Sequence, residues 1–245
     1  AQSIVQAEDE LAAYRRIAER GAVDGVIVQS PTSNDQRITY LSNLEIPFVV
    51  HGRASDINTD YAWLDVNNRR AIETATTHIT DLGHRRIALL NGLAHMDYAV
   101  RRKAGFVDAL QKAGVTPEQS LMRSGEMSEP NGYAAAMELL QDDNPPTAFV
   151  ASSIVLALGV KRAAGQLGLT IGRDVSVVCY DDDISYLPNA GDVPFFTAVR
   201  SSVRAAGARC ADLLMDQINN PGAPLPGELW EAELVIGSST GPLHS

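Results

Sequence analysis

Three consecutive carboxylates, Asp181, Asp182 and Asp183, follow directly on the run Val175-Ser176-Val177-Val178-Cys179-Tyr180. The run is short, β-branched and apolar, which predicts a strand buried on both faces, as in a parallel sheet. Ligands of open α/β sheets sit just beyond the carboxyl ends of the strands. A carboxylate placed there accepts strongly from the O–H groups of a hydroxyl-rich ligand. The competing reading is a solvated acidic loop, and position favours Asp181 over Asp182 and Asp183. A second group, His51-Gly52-Arg53, closes the predicted strand Ile46–Val50. A lone histidine is more often a satisfied structural residue than a ligand or base. Arg102 falls in the first turns of a predicted helix, with Asp97 and Tyr98 on the loop leading to it. A guanidinium presents donors in a fixed fork suited to neighbouring hydroxyls. The bland alternative is a surface arginine beside Arg101 and Lys103.

Enzyme signatures are lacking. There is no G-x-S-x-G elbow, no P-loop and no G-x-G-x-x-G after a strand. Histidines do not recur at metal-ligand spacing, and no second set of acids matches Asp181–Asp183 for a cation. The expectation is a binding protein with no catalytic residues, no metal and no cofactor.

The elements that position these residues alternate regularly. Helices are predicted over Glu8–Arg20, Asp35–Asn43, Asn67–Leu82, Tyr98–Ala113, Asn131–Gln141, Ile154–Leu167 and Val203–Ile218. Gly21, Gly83, Gly114 and Gly168 close four of them, and Asn67 caps the third. The last has Val203, Gly207, Cys210, Leu214 and Ile218 along one side. Strands are predicted over Val23–Val28, Ile46–Val50, Ala62–Val66, Arg86–Leu90, Leu121–Arg123, Thr147–Ala151, Val175–Tyr180, Phe195–Val199 and Glu228–Ile236. Strands alternating with helices imply βαβ units and parallel sheets. That many strands predict two sheets in two lobes. The expected chain crossings are at Asn91-Gly92-Leu93, between Phe196 and Ser202, and near Leu225–Trp230. The lobes would then be 1–92 with 203–226, and 93–202 with 227–245.

Composition sets the outer bounds. The chain has 245 residues, 45% hydrophobic and 20% charged, as in ordinary globular domains. No apolar run approaches the ~20 residues that span a bilayer. The start, Ala1 to Arg16, lacks the basic region and apolar core of a signal peptide. Cys179 and Cys210 fall in predicted buried elements and read as reduced packing residues of a cytoplasmic protein. A net charge of −10 argues against DNA binding by this stretch itself.

At Leu82-Gly83-His84-Arg85-Arg86-Ile87-Ala88-Leu89-Leu90 the sequence resembles the lactose-repressor family of bacterial transcription regulators. The resemblance covers essentially the whole chain. Val23-Asp24-Gly25-Val26-Ile27 is similar to the family's early strand, and Asp65-Val66-Asn67-Asn68 to its "D-N" step into a helix. Arg101-Arg102-Lys103-Ala104-Gly105-Phe106 is similar to its "R-x-x-G-F" step. Ala157-Leu158-Gly159 and Val175 to Asp182 are similar to its "A-L-G" and "V-S-V-V-G-(Y/F)-D-D" blocks. Each motif is weak alone; their order and spacing together are specific.

The resemblance implies a periplasmic-binding-protein type I fold: two Rossmann-like lobes with parallel sheets, hinged around a central cleft that holds a small-molecule effector, a sugar or similar polyol. It implies a homodimer whose operator-DNA contacts run through an N-terminal helix-turn-helix headpiece not contained in this stretch. The core's first strand, first helix and most of its second strand are missing too, with Ala1–Val5 at that second strand's end. Arg102 matches the family's effector-binding arginine and Asp181 the first Asp of the "D-D" block, while Asp182 is expected to bond local amides. Ser153 falls where many members have Asn or Ser facing the effector, and Ile154 where they usually have Asp. Met127 falls where several place an aromatic ring over the ligand; core filling is the alternative. Asp97 and Tyr98 are within reach of the ligand, and Tyr186 and Phe195 offer apolar faces. His51-Gly52-Arg53, where "D-R" is usual, resembles a subgroup regulating α-glucoside or sugar-uptake genes. The alternative with the same fold is a sugar-binding protein of an ABC transporter; the residues upstream of Ala1 would discriminate the two.

Overall fold

The computed structural model describes residues 10–21 and 23–243. In chain order the elements are α1 (Glu10–Arg20), β1 (Val26–Gln29), α2 (Gln36–Asn43), β2 (Phe48–His51), β3 (Ala62–Val66), α3 (Asn68–Asp81), β4 (Ile87–Asn91), α4 (Asp97–Lys112), β5 (Met122–Ser124), α5 (Glu129–Leu140), β6 (Ala148–Ala151), α6 (Ile154–Gln166), β7 (Ser176–Asp181), β8 (Thr197–Arg200), α7 (Val203–Asn219), β9 (Gly227–Trp230) and β10 (Glu233–Val235). The expected strand end at Ala1–Val5, and the first helix's start at Glu8, lie outside the described residues. The α/β alternation read from the sequence is present.

The chain divides into two units: Ala1–Asp65 with Ala205–Trp230, and Val66–Arg204 with Glu231–Ser245. The crossings therefore differ from those expected. The sequence pattern assigns β4 to the first lobe, yet its backbone is bonded between β6 and β5 in the second unit's sheet. Helix α3 goes with it, since Ile72, Ala75 and Ile79 pack on that sheet with Phe106 and Leu110 of α4. The first crossing lies at Asp65/Val66 rather than at Asn91–Leu93. A sequence pattern of alternating elements does not say which sheet a strand joins. The single predicted strand Glu228–Ile236 is likewise two strands: β9 belongs to the first sheet and β10 to the second. The third crossing breaks it at Trp230/Glu231.

Among the described residues the first unit has a four-stranded sheet, β1-β2-β3-β9, with β1, β2 and β3 parallel. One face packs α2 through Ile38 and Leu41. The other packs α7 through Ala206, Cys210 and Leu213, so the buried stripe of α7 is turned from the predicted one, and Val203 and Gly207 are exposed. The second unit has a six-stranded sheet, β10-β8-β7-β6-β4-β5. It is parallel except for β10, which runs antiparallel to β8. Helices α5 and α6 cover one face and α3 and α4 the other. The parallel strands aim Asn91, Ser152, Asp181 and Ser201 at one edge, their carboxyl ends.

The Leu82–Leu90 block is a structural device. His84 is buried, its Nδ1 2.9 Å from Thr147 Oγ1 and its Nε2 3.0 Å from the Gly241 carbonyl. A carbonyl only accepts, so the neutral ring carries its proton on Nε2. His78 sits 3.1 Å from Thr240 Oγ1 on the same C-terminal segment. Burial lowers both imidazole pKa values below the ordinary 6.5. A histidine depressed in the folded state contributes stability that is complete above its unfolded value and is lost as pH falls through it. Stability should therefore fall as pH drops from about 7.5 through the ordinary imidazole range toward the lowered folded values. Urea midpoints across that range measure it, and His84→Asn should flatten the slope. An unchanged slope in the variant would exclude His84 as a source.

Candidate functional site

Helix α4 begins at Asp97, one residue earlier than expected, so Asp97 and Tyr98 are both helical rather than on a loop. Asp97 is consumed locally: it is buried and ion-paired with Arg101, one helical turn on. Tyr98 lies against Gly92, where an added Cβ would meet the phenol oxygen at 2.5 Å. Burial raises its pKa, and the carboxylates of Glu126 and Asp182 add to the rise while Arg102 opposes it. Arg102, Glu126 and Asp182 therefore share one neighbourhood with Tyr98.

Arg102 is only 5% exposed. Its Nε donates to Asn68 Oδ1 at 2.7 Å, and one terminal nitrogen donates to the Ser152 carbonyl at 2.6 Å. Its carbon lies 3.9 Å from the Tyr180 ring centre and 5.0 Å from that of Tyr98. Neutral acceptors and two π faces hold this cation, and its second terminal nitrogen is bonded to none of the described residues. Below it, Asn91 ties the strand ends together. Its Nδ2 donates to the Ala99 carbonyl at 2.8 Å, and its Oδ1 accepts from Ser152 Oγ at 2.8 Å. Tyr180 OH is 2.7 Å from Ser201 Oγ.

Asp181 ends β7 and is 1% exposed. One carboxylate oxygen accepts from the Asp183 amide at 2.9 Å. The other is enclosed and has no hydrogen-bond partner among the described residues. An enclosed acceptor without a donor costs free energy in the absence of a ligand. Asp183 is ion-paired with Arg200, and the Asp182 carbonyl accepts from the Val203 amide at 3.0 Å. A local amide bond of the kind expected of Asp182 is made by the Asp181 side chain.

Other candidates are spread differently. Ser153 caps α6, its Oγ accepting from the Leu156 amide at 3.2 Å. Met127 packs partly buried against the core between the sheet and α5–α6, the alternative weighed for it above. Tyr186 is 83% exposed, and Phe195 lies edge-on to Phe196 with Lys161 over its ring. His51 and Arg53 belong to the first unit. His51 ends β2, and Arg53 pairs with Asp65 at 2.9 Å while covering the Trp63 ring. Asn68, Asn91 and Tyr180 escaped sequence reasoning as site residues. The two asparagines stand in motifs already noted, and their type at a strand end or helix start was the available signal. Among the described residues no group of three or more His, Cys, Asp or Glu side chains is placed to hold a metal ion. No helix there is long and apolar enough to cross a membrane.

Sequence and structure comparisons place this arrangement among known proteins. The profile of the periplasmic binding protein-like domain matches residues 76–240. The regulator AglR of Rhizobium meliloti is 44% identical over 96% of this chain and 66% of its own length. MalR of Streptomyces coelicolor is 36% identical over 95% of the chain and 68% of its own length. The chain thus spans about two thirds of these relatives. Among solved structures, a CelR–cellobiose complex superposes with a TM-score of 0.81 at 28% identity, covering 93% of this chain and 70% of that one. A ribose-bound LacI family regulator from Enterococcus faecium gives 0.79 at 26%, covering 94% and 84%. These proteins are regulators rather than transporter components, and the order of motifs, the fold and the profile agree with them. The chain belongs to the lactose-repressor (LacI) family of transcription regulators.

Proposed function

We propose that the chain is the effector-binding core of a sugar-responsive regulator, with the effector held at the carboxyl edge of the six-stranded sheet. The observation that carries this is an enclosed Asp181 oxygen with no partner among the described residues, at the same carboxyl edge of the sheet as the buried Arg102 guanidinium. One supplies an acceptor and the other donors, which together suit the vicinal hydroxyls of a sugar. Tyr98 supplies an aromatic face for the ring's apolar side, and Ser153 and Met127 complete the neighbourhood from α6 and the loop before α5. Support also comes from the sugars in the two neighbouring structures, cellobiose and ribose. In the whole protein, a dimer would carry helix-turn-helix headpieces to operator DNA, and effector and DNA affinities would be linked reciprocally.

The test is a thermal-shift and calorimetric titration of this chain against mono- and disaccharides, α-glucosides such as maltose and trehalose included, with purines and sugar phosphates as controls. A sugar that binds the folded state raises the melting temperature by mass action. At 100 times Kd the gain is about 2.7 kcal/mol. A shift with purines alone, or with nothing in the panel, would overturn the sugar assignment.

A further inference from the structure

Asn68 stands at the first position of α3, just after the cap residue Asn67, which accepts from the Arg70 amide. Its side chain turns inward and is 5% exposed. The Oδ1 accepts from Arg102 Nε at 2.7 Å, and the Nδ2 donates to the Val66 carbonyl at 3.0 Å. An amide flip would set donor against donor and acceptor against acceptor, so both bonds fix one orientation. Val66 is the first residue after the chain enters the second unit. The residue before it, Asp65, is gripped by Arg53. One short side chain thus joins the guanidinium to the crossing segment.

The other two crossings are tied to the same neighbourhood. Before the second, at Arg204/Ala205, the Ser201 amide donates to the Asp181 carbonyl and the Val203 amide to that of Asp182, both at 3.0 Å. Ser201 Oγ also meets Tyr180 OH, whose ring lies under Arg102. After the third, Glu231 Oε1 accepts from Asn67 Nδ2 at 2.9 Å.

We infer that Asn68 is the positioning residue that sets the Arg102 guanidinium and couples its occupancy to the first crossing. The coupling to effector rests on the function proposed above; the positioning does not. The residue's two bonds separate in two variants. Asn68→Ala removes both. Asn68→Asp keeps an acceptor for Arg102 but turns its second oxygen on the Val66 carbonyl, so that link is lost.

The experiment has a ligand-free arm and a ligand arm, both on this chain. In the first, NMR follows proton exchange at the Arg102 Nε–H. Exchange should be slow in the wild type and in Asn68→Asp, and at least about 10-fold faster in Asn68→Ala. In the second, maltose, trehalose, cellobiose and ribose are titrated by calorimetry, and amide exchange is mapped with and without sugar. Asn68→Ala should weaken binding about 10- to 100-fold. Asn68→Asp should recover most of that affinity, yet lose the sugar-dependent protection of amides 66–71 while keeping that of 201–203. A destabilised fold would not be rescued in this divided way. If Arg102 Nε–H exchanges equally slowly in Asn68→Ala, the positioning assignment is wrong. If it exchanges faster but no sugar binds even the wild type, positioning stands and the sugar assignment fails. Unchanged affinity in Asn68→Ala, or protection of 66–71 retained in Asn68→Asp, overturns the coupling.

Discussion

Asp181→Asn should lose at least about 100-fold in effector affinity while leaving the unliganded protein as stable as the wild type, or up to about 1–2 kcal/mol more stable. The two signs come from the two oxygens. The one bonded to the Asp183 amide has an equivalent in the asparagine Oδ1, so the local turn survives. The other is enclosed with no donor. Asparagine places an N–H there, so an effector hydroxyl that would have donated meets a donor instead. Buried polar groups left mispaired are what make such sites reject a ligand. In the free protein the same change exchanges an enclosed charged acceptor for an enclosed neutral amide, which costs less to bury, and the attraction to half-exposed Arg200 is given up, a small loss in solvent. Calorimetric titration with the sugar found in the panel, together with urea unfolding without it, gives both numbers. Marked destabilisation with unaltered affinity would make Asp181 a structural residue and remove the carboxylate from the site.

The α/β alternation was legible in the sequence because each segment carries its own period and its own stop, as Gly83 and Gly168 illustrate. Asp181 was legible because a fully apolar strand ending in an acid puts that acid at the sheet edge where ligands bind. Arg102 needed the family motif, since its flanking Arg101 and Lys103 read equally as a solvated face. Lobe membership was not legible. Whether β4 pairs with β6 or with β3 depends on non-local hydrogen bonds, and an apolar strand such as Ile87–Asn91 suits either sheet. The same holds for Glu228–Ile236, where a continuous strand-like pattern hides a change of sheet at Glu231. Asn68 and Asn91 carried only the weak signal of their type at a helix start and a strand end, because an asparagine's partners lie far along the chain, at Arg102 and Ser152. Motif residues read as effector contacts also turned out to serve the scaffold, as Ser153 does in capping α6.

Gly105, the glycine of the "R-x-x-G-F" step, should be the costliest glycine to replace. A Cβ built on it would lie 2.0 Å from the Arg69 carbonyl oxygen and 3.1 Å from the Glu73 amide nitrogen. Both obstacles are backbone of α3, so no side chain can rotate away. The helices would have to part, opening the packing of Ile72 and Ile79 against Phe106 and Leu110. Overpacking ordinarily costs 1–3 kcal/mol, and a backbone collision places Gly105→Ala at about 3 kcal/mol or more. Helix propensity works the other way, since alanine gains up to about 1 kcal/mol over glycine in an open helical position. Gly165 in α6 is such a position, with nothing within 4 Å of an added Cβ, so Gly165→Ala should stabilise by about 0.5–1 kcal/mol. The pair separates packing from propensity within one unit. Arg102 is three residues before Gly105, on the helix that must move, so Gly105→Ala should weaken effector binding as well, whereas Gly165→Ala should not. Melting temperatures and one titration per variant decide it. Equal behaviour of the two alanines would mean that α3 and α4 do not approach as closely as the Arg69 carbonyl indicates.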